Sequence, residues 1–411
     1  MATATATYNY QVRDRSGKLV TGQLEADSSG AVAARLRQMG YTPVSVEQVR
    51  TTGMRTEIRI PGFGGRVKLK DLAIFSRQFA TMINSGLSLL RAMTILEEQT
   101  ENKRLAEVIG EVRADVEAGG ALSAALAKHE KIFPRLYIAM VRAGETAGML
   151  DSVLLRIADA LEKEVALRGK IKAALTYPVI VLIMAVLLTT VMLIFIVPTF
   201  AAMFEDLGGE LPVPTKILMA ASNFMSSWAG LLTFFVLPAG VWYAYKAIRA
   251  NPQGRYQLDR IKLKLPVFGP LFHKIAMARF ARNLSVLLRA GVPILQALEI
   301  TSETVANGPV AAAVKDVQDS VREGESIASP LTNHDVFPAM IVQMIAVGEE
   351  TGAIDTMLEK VADFYDQEVE STTESLTALM EPLMIAVLGG IVGSMVIALY
   401  MPIFKVMELV E

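Results

Sequence analysis

The chain has 411 residues, of which 52% are hydrophobic and 20% are charged, and its mean hydropathy is +0.39. This balance is too apolar for an ordinary soluble protein and too charged for a bundle of membrane helices alone, so we expect soluble domains joined to membrane spans. The net charge of −2 gives no general attraction to nucleic acid, and the lack of cysteine excludes disulfides, thiolate metal sites and a cysteine nucleophile.

The N-terminal part of the sequence predicts a small mixed module. Its first ten residues, MATATATYNY, lack the basic and apolar regions of a cleavable signal peptide, so we expect a cytoplasmic N-terminus. Two alternating stretches, a short helical stretch that Ser28 or Ser29 could cap, and a third alternating stretch predict a β-β-α-β module over 1–49. Residues 50–70 are Gly-rich and basic and are predicted to be a linker, either a solvated tether or a contact for headgroups or an acidic partner.

Residues 71–172 predict a cytoplasmic helical domain. Apolar side chains recur at spacings of three and four residues, as at Phe75 and Phe79, and about six helices can be distinguished. Gly86 is expected to end the first helix in the left-handed conformation, and Ser88 is expected to cap the second. The sixth helix runs toward the membrane without a break signal.

Three stretches without charge are long enough to cross a bilayer, which needs about 20 apolar residues. Basic residues precede the first stretch and follow the second, which predicts that the first span runs out of the cytoplasm and the second returns to it. The third follows acidic residues, and its outward direction is inferred from the first two. Because the first half of the second stretch is polar, this stretch could alternatively be a buried helix of a soluble domain. The predicted segments are span one at 173–204, an external loop at 205–216, span two at 217–246, a second cytoplasmic helical domain at 247–376, span three at 377–404 and an external tail at 405–411.

Two parts of the chain repeat one another. AGETAGMLD at Ala143–Asp151 corresponds to VGEETGAID at Val347–Asp355, an offset of 204 residues. Farther upstream Phe75 aligns with Phe280, an offset of 205, which we interpret as one residue inserted in the second copy. The unit is a soluble helical domain followed by a span, and the unmatched second span returns the chain to the side where it began. Prolines align at the offset of 204: Pro178 with Pro382, and Pro198 with Pro402.

The repeated turns carry glycine and polar residues where core residues would be expected. One interpretation is structural, in which the glycines form a turn and Thr146 or Asp151 caps the next helix. The other is a partner interface, in which Glu145 and Glu349 offer exposed charge; the spacing gives no support for a metal site. The candidate interface residues are Gly144, Glu145, Thr146, Gly148, Asp151, Gly348, Glu349, Thr351, Gly352 and Asp355.

The sequence has no motif for covalent or metal chemistry. It contains no phosphate-binding loop, H-E-x-x-H or G-x-S-x-G, and we predict no enzyme activity, no cofactor and no metal. The spans hold no ionisable residue between their flanks, which disfavours a carrier. The third span follows Glu381 and Pro382 and contains a G-x-x-x-G motif, Gly389 and Gly393, with Gly390 beside it. This motif is typical of close packing between helices. The alternative is that these glycines face lipid.

The stretch KIKAALTYPVIVLIMAVLLTTVMLIFIVP at Lys170–Pro198 resembles a family signature around a first span, including Tyr177 and Pro178 at its start and Pro198 at its end. The family is that of the inner-membrane platform proteins of type IV pilus machines and type II secretion systems (PilC/GspF-like). The duplicated helical domain, the GE-x-x-G turns and the three spans agree with it, and the similarity covers roughly 70–405. The N-terminal module resembles the extra domain of many members.

The resemblance implies a mainly α-helical, polytopic protein of the bacterial cytoplasmic (inner) membrane that performs no chemistry. It implies that the cytoplasmic domains engage the hexameric motor ATPase of pilus extension, and of retraction where one exists, while the spans help to lift pilin subunits from the bilayer. Other inner-membrane assembly proteins, membrane lipid and further copies of the chain in a dimer or larger oligomer are expected partners; nucleic acid is not. The alternatives are a secretion pseudopilus platform, a membrane scaffold that does not move, and a transporter or channel.

Overall fold

The computed structural model describes residues 6–13, 19–26, 29–48, 66–206 and 212–410. The chain divides into two compact units, Met1–Gly64 and Gly65–Glu411. Most of the linker predicted at 50–70, and the middle of the predicted external loop, lie outside the described residues.

The N-terminal unit is the predicted β-β-α-β module. Strand β1 pairs with both β2 and β3 in an antiparallel sheet of order β2-β1-β3. Val12 of the sheet packs with Val32 and Leu36 of the helix in a small buried core. The elements are β1 (Ala6–Arg13), β2 (Leu19–Ala26), α1 (Ser29–Gln38) and β3 (Thr42–Gln48).

The first copy of the repeat contains six helices, as the sequence predicts. Gly86 has φ +85° and ends the first of them, which confirms its predicted left-handed conformation. The sixth helix continues far beyond the bundle. The helices are α2 (Leu69–Asn84), α3 (Leu89–Gln99), α4 (Lys103–Glu117), α5 (Leu122–Ala127), α6 (Arg135–Ala147) and α7 (Leu150–Val191).

The connection between the copies begins with a π-helical turn, Met192–Ile196, through which α7 continues into α8 (Val197–Asp206). The segment predicted as one span over 217–246 is divided in the structure. Ser227 is extended, with ψ 154°, and its hydroxyl accepts a hydrogen bond from the Gly230 N–H, so it ends one helix and caps the next. The remaining helices are α9 (Val213–Ser226), α10 (Trp228–Ala250) and α11 (Pro252–Lys264).

The second copy repeats the six helices, and its last helix runs on through most of the predicted tail at 405–411. The interpretation that one residue is inserted in this copy is wrong. The second copy is instead one residue shorter in the turn before its fifth helix. In the first copy this turn is closed by a hydrogen bond from Phe133 N–H to His129 O, four residues earlier. In the second copy the bond runs from Phe337 N–H to His334 O, three residues earlier. The helices are α12 (Gly269–Arg289), α13 (Ile294–Thr304), α14 (Gly308–Arg322), α15 (Ala328–Leu331), α16 (Ala339–Thr351) and α17 (Ile354–Val410).

The two bundles share one continuous apolar core. An aromatic pair is repeated inside it: the ring centroids of Phe75 and Phe133 lie 6.0 Å apart, and those of Phe280 and Phe337 lie 4.9 Å apart. Because the cores are continuous, the bundles form one body and must lie on the same side of any membrane that the chain crosses.

An arginine clamp joins the first and last helices of each bundle. Arg77 on α2 holds both carboxylate oxygens of Glu162 on α7, with N···O distances of 2.7 and 2.6 Å. At the equivalent positions of the second copy, Arg282 on α12 pairs with Asp366 on α17. The hydrogen bond from Arg77 lowers the pKa of Glu162, whereas burial raises the pKa of Asp366 despite its arginine partner.

The clamp in the first copy predicts a pH dependence. Because the folded-state pKa of Glu162 lies below its ordinary value of 4.5, the clamp stabilises the fold above that pH and is lost as the pH falls through the folded-state pKa. We expect Glu162→Gln to lower the thermal unfolding midpoint in detergent at neutral pH and to have little effect where Glu162 is already protonated. The control is Glu98→Gln, at an exposed position of α3; a Glu162→Gln effect of equal size at both pH values would contradict the account.

Candidate functional site

The second glycine of each repeated motif ends a helix. Gly148 and Gly352 have φ +67° and +69°, and the N–H groups of the residues after them, Met149 and Ala353, donate to carbonyls five residues earlier at 2.9 Å. This is the left-handed helix end that glycine favours. The predicted turn is therefore confirmed for these two glycines.

The first glycine of each motif, Gly144 or Gly348, lies inside a helix, so the prediction that it forms part of the turn is wrong. Its lack of a side chain allows close packing. A Cβ atom on Gly144 would lie 3.1 Å from the Val153 side chain, and one on Gly348 would lie 2.8 Å from the Ile354 Cα. A side chain at Gly348 would therefore force α16 and α17 to move apart, and one at Gly144 would crowd Val153 on α7. These glycines allow the close approach of each pair of helices.

The glutamates of the motifs cap a neighbouring helix. The Glu145 carboxylate accepts hydrogen bonds from the N–H groups of Leu122 and Ser123 at 2.6 and 3.1 Å. In the second copy, Glu349 accepts from the equivalent pair, Ile327 and Ala328, at 2.5 and 2.9 Å. A carboxylate at these N-termini meets donors that have no partner within their own helix.

The predicted exposure of these two charges is wrong, since both carboxylates are half-buried and engaged. A role of the motif in a partner interface stays a prediction. Such an interface would have to use exposed residues around Glu145 and Glu349.

The other polar residues of the motif have local roles. The Thr146 and Thr351 hydroxyls donate to carbonyls four residues earlier in their own helices, at 2.9 and 2.7 Å. Met149 occupies the N-cap position of α7, and Asp151 follows in the first turn, so the prediction that Thr146 or Asp151 is the cap is wrong. Asp355 lies 3.5 Å from the guanidinium of Arg289. Within the described residues, no group of three acidic or histidine side chains could hold a metal ion.

Below the motifs, the two long helices are joined by a ladder of ion pairs. Lys163 Nζ on α7 lies 2.8 Å from the Asp363 carboxylate on α17, and Lys170 Nζ lies 2.5 Å from the Glu370 carboxylate. Both pairs join residues 200 apart, so the helices run in the same direction. We call α7 from 163 to 172 the basic stem and α17 from 363 to 374 the acidic stem. Opposite charge thus holds the stems together where they leave the bundles.

Further polar contacts cross between the copies. Arg279 on α12 donates to Glu164 on α7 at 2.8 Å, and Arg135 on α6 holds Glu303 on α13 at 2.7 Å. The exposed pair Arg135–Glu303 contributes little alone, about 0–1 kcal/mol, whereas Arg279 and Glu164 are part-buried, and together such pairs fix the relative position of rigid parts. The ladder and these contacts therefore act together with the shared core.

Two helices of the described chain are long and apolar enough to cross a membrane, Leu150–Met203 and Ile354–Pro402. Of the signature residues at Lys170–Pro198, Lys170 is in the ladder, Tyr177 is exposed, Pro178 is buried and Pro198 follows the π-helical turn. Facing side chains of the two helices and Met225 line an apolar, half-open cavity of about 380 Å³.

The glycines of the third predicted span have no close neighbour in the chain. A Cβ atom on Gly389, Gly390 or Gly393 would meet nothing within 4 Å, and Glu381 and Pro382 are exposed. The packing predicted for this G-x-x-x-G is therefore absent within the described chain. Packing against another chain remains a prediction.

Comparison with known proteins agrees with this architecture. The sequence matches the family described as type II secretion system (T2SS), protein F over residues 75–198 and again over 280–402, and the N-terminal domain of that protein over residues 1–47. The chain belongs to this family. The doubled match coincides with the two bundles and their long helices.

Curated relatives extend over nearly the whole chain. The chain is 48% identical to type IV pilus assembly protein PilC of Thermus thermophilus, over 97% of this chain and 98% of that protein. It is 42% identical to the Myxococcus xanthus protein of the same name, over 98% and 95%. Its identity to type II secretion system protein F of Vibrio cholerae is 33%, over 99% and 100%.

The capping geometry leads to a prediction at neighbouring glutamates. Glu349→Ala leaves two backbone donors at the start of α15 without their charged acceptor, which should cost about 1–3 kcal/mol. We expect a lower thermal unfolding midpoint in detergent, while Glu350→Ala, at the exposed next position, should leave it nearly unchanged. Equal effects of the two substitutions would contradict the capping role.

Proposed function

We propose that this protein is the inner-membrane platform of a type IV pilus machine and that it couples a cytoplasmic motor ATPase to the movement of pilin subunits. Family membership supports a platform role, and the higher identity to pilus assembly proteins than to secretion proteins favours a pilus. A type II secretion pseudopilus is the second candidate, because the secretion proteins also match along their whole length.

The observation that carries the proposal is the unbroken path from each bundle into the membrane. Helix α7 has 42 residues and is about 63 Å long, and α17 has 57 residues and is about 85 Å long. The hydrocarbon core of a bilayer is only about 30 Å thick. Each helix therefore serves both as a bundle helix and as a span, and a tilt of the bundle must tilt the span.

The shared core also bears on the topology. Because α7 and α17 run parallel from one fused body, the chain must recross the membrane between α8 and α12. Helix α10 has 23 residues, or about 34 Å, and its exposed face carries Trp228, Leu237 and Trp242. We propose that α10 is the return span, which would give three spans with both bundles on one side of the membrane. The basic residues before the first span and after the second favour the cytoplasmic side for the bundles and the N-terminus.

The proposed machine performs no chemistry in this chain. The bundles would receive force from the motor, and the span helices would act on pilins in the bilayer. Further copies of the chain and other assembly proteins would complete the platform. A scaffold that only holds its partners together would need no stiff connection between bundle and span.

One position in the basic stem tests whether stiffness matters. Gly169 is exposed in the middle of α7, with open space where a Cβ atom would lie. Gly169→Ala should preserve or strengthen the helix, whereas Gly169→Pro removes a backbone donor and kinks it, at a cost of about 3 kcal/mol or more. We expect surface pili with alanine and a severe loss of pili with proline, counted by electron microscopy.

The control is the amount of protein in the membrane, which must be equal in the two strains, together with ATP hydrolysis by the purified motor. Normal piliation with a membrane-inserted Gly169→Pro protein would reject stiff coupling and favour the static scaffold.

A further inference from the structure

Two repeated prolines leave backbone carbonyls without their helical partners. Proline has no N–H, so Pro402 cannot donate to the carbonyl four residues earlier, at Ala398. Pro198 follows the π-helical turn, in which the Val197 N–H donates to Met192 O. The next carbonyl, Leu193 O, would need the N–H of residue 198 in the same pattern, and this N–H is missing because residue 198 is proline.

Helix α9 supplies a hydroxyl to each of these two carbonyls. Thr215 Oγ1 donates to Ala398 O on α17 at 2.5 Å, and Ser222 Oγ donates to Leu193 O in the π-helical turn at 2.5 Å. Both side chains are buried, with 2% and 0% exposure. One short helix therefore satisfies one orphan carbonyl in each copy of the repeat.

These bonds are unusual for the hydroxyls of this chain. Most described threonines on α7, α8 and α17 donate to a carbonyl four residues earlier along the same helical run, as Thr199 of α8 does to Phe195 O. Packing around the two bonds is close: Val197, Ala398 and Leu399 are buried. The rings of Phe200 on α8 and Tyr400 on α17 lie 6.5 Å apart.

We propose that α9 is a brace in which Thr215 and Ser222 are positioning residues that replace the donors missing at Pro402 and Pro198. They lock together the ends of α7 and α17 that lie farthest from the bundles. The ladder and the shared core fix these helices at one end, and the brace fixes them at the other. The pair then moves as one frame. The role of this frame in a machine rests on the platform function proposed above, whereas its geometry does not.

The brace can be tested in the full chain by distance measurement. The protein has no cysteine, so spin labels at Met203→Cys and Ile397→Cys, both exposed positions, report only the separation of α8 and α17. In lipid nanodiscs we expect one narrow distance distribution. Thr215→Val keeps the side-chain volume but removes the donor, and with Ser222→Ala it should abolish the narrow peak. Thr199→Val, which loses only a bond within its own helix, should preserve it.

Two further variants separate the hydrogen bond from packing. Thr215→Val alone should broaden the distribution, whereas Thr215→Ser, which keeps a hydroxyl, should preserve the narrow peak. Adding Pro402→Ala to Thr215→Val returns an N–H to the Ala398 carbonyl within α17 but does not join α9 to α17, so the distribution should stay broad. Persistence of the narrow peak in Thr215→Val with Ser222→Ala would overturn the brace. So would a narrow peak that Pro402→Ala restores without the Thr215 hydroxyl.

Piliation of the same variants tests the use of the brace separately. Loss of pili together with the narrow peak supports a role of the frame in coupling. Normal pili despite a broadened distribution would reject that role while leaving the brace itself established, because the distance measurement needs neither motor nor pilin.

Discussion

The structure depends on one constraint of the bilayer. A backbone that enters hydrocarbon must satisfy its hydrogen bonds internally, so the connection between a water-exposed bundle and a span is most readily made by one continuous helix. Helices α7 and α17 meet this constraint in the same way, once in each copy of the repeat. The repeated glycines let α6 and α16 pack closely on the long helices, and the capping glutamates join α6 to α5 and α16 to α15. The fold is thus organised around two long helices, and the bundles hold them at one end.

The duplicated halves differ in charge, and this difference joins them. The basic stem faces the acidic stem through Lys163 with Asp363 and Lys170 with Glu370. The ladder joins residues 200 apart whereas the repeat offset is 204, so exact repetition would keep Asp opposite Lys163, as at Asp159, but would place Ala, as at Ala166, opposite Lys170. The same arrangement accounts for the missing positive charge before the third predicted span: the lysines that lie beside it come from the first copy. In the proposed topology, the fused bundles set the orientation of that span.

Periodicity and glycine placement were sufficient to predict the six helices of each bundle, the N-terminal module and the left-handed end at Gly86. The partner of Glu145 could not be predicted, because Leu122 lies 23 residues away in sequence and meets it only after the bundle has folded. Hydropathy averaged across Ser227 concealed the division between α9 and α10. The roles of Thr215 and Ser222 were also hidden, since a hydroxyl in a helix usually bonds its own backbone. The sequence therefore indicates which helices form, and long-range hydrogen bonds decide how they are joined.

The central claim is that each bundle continues into its span without a flexible joint. Amide hydrogen exchange of the full chain in nanodiscs tests it most directly, read across 161–177 of α7 and 365–381 of α17. The account predicts continuous slow exchange from the bundle through both stems into the spans, because every amide there lies within an unbroken helix. Rapid exchange confined to either stem, between a protected bundle and a protected span, would show a hinge and contradict it.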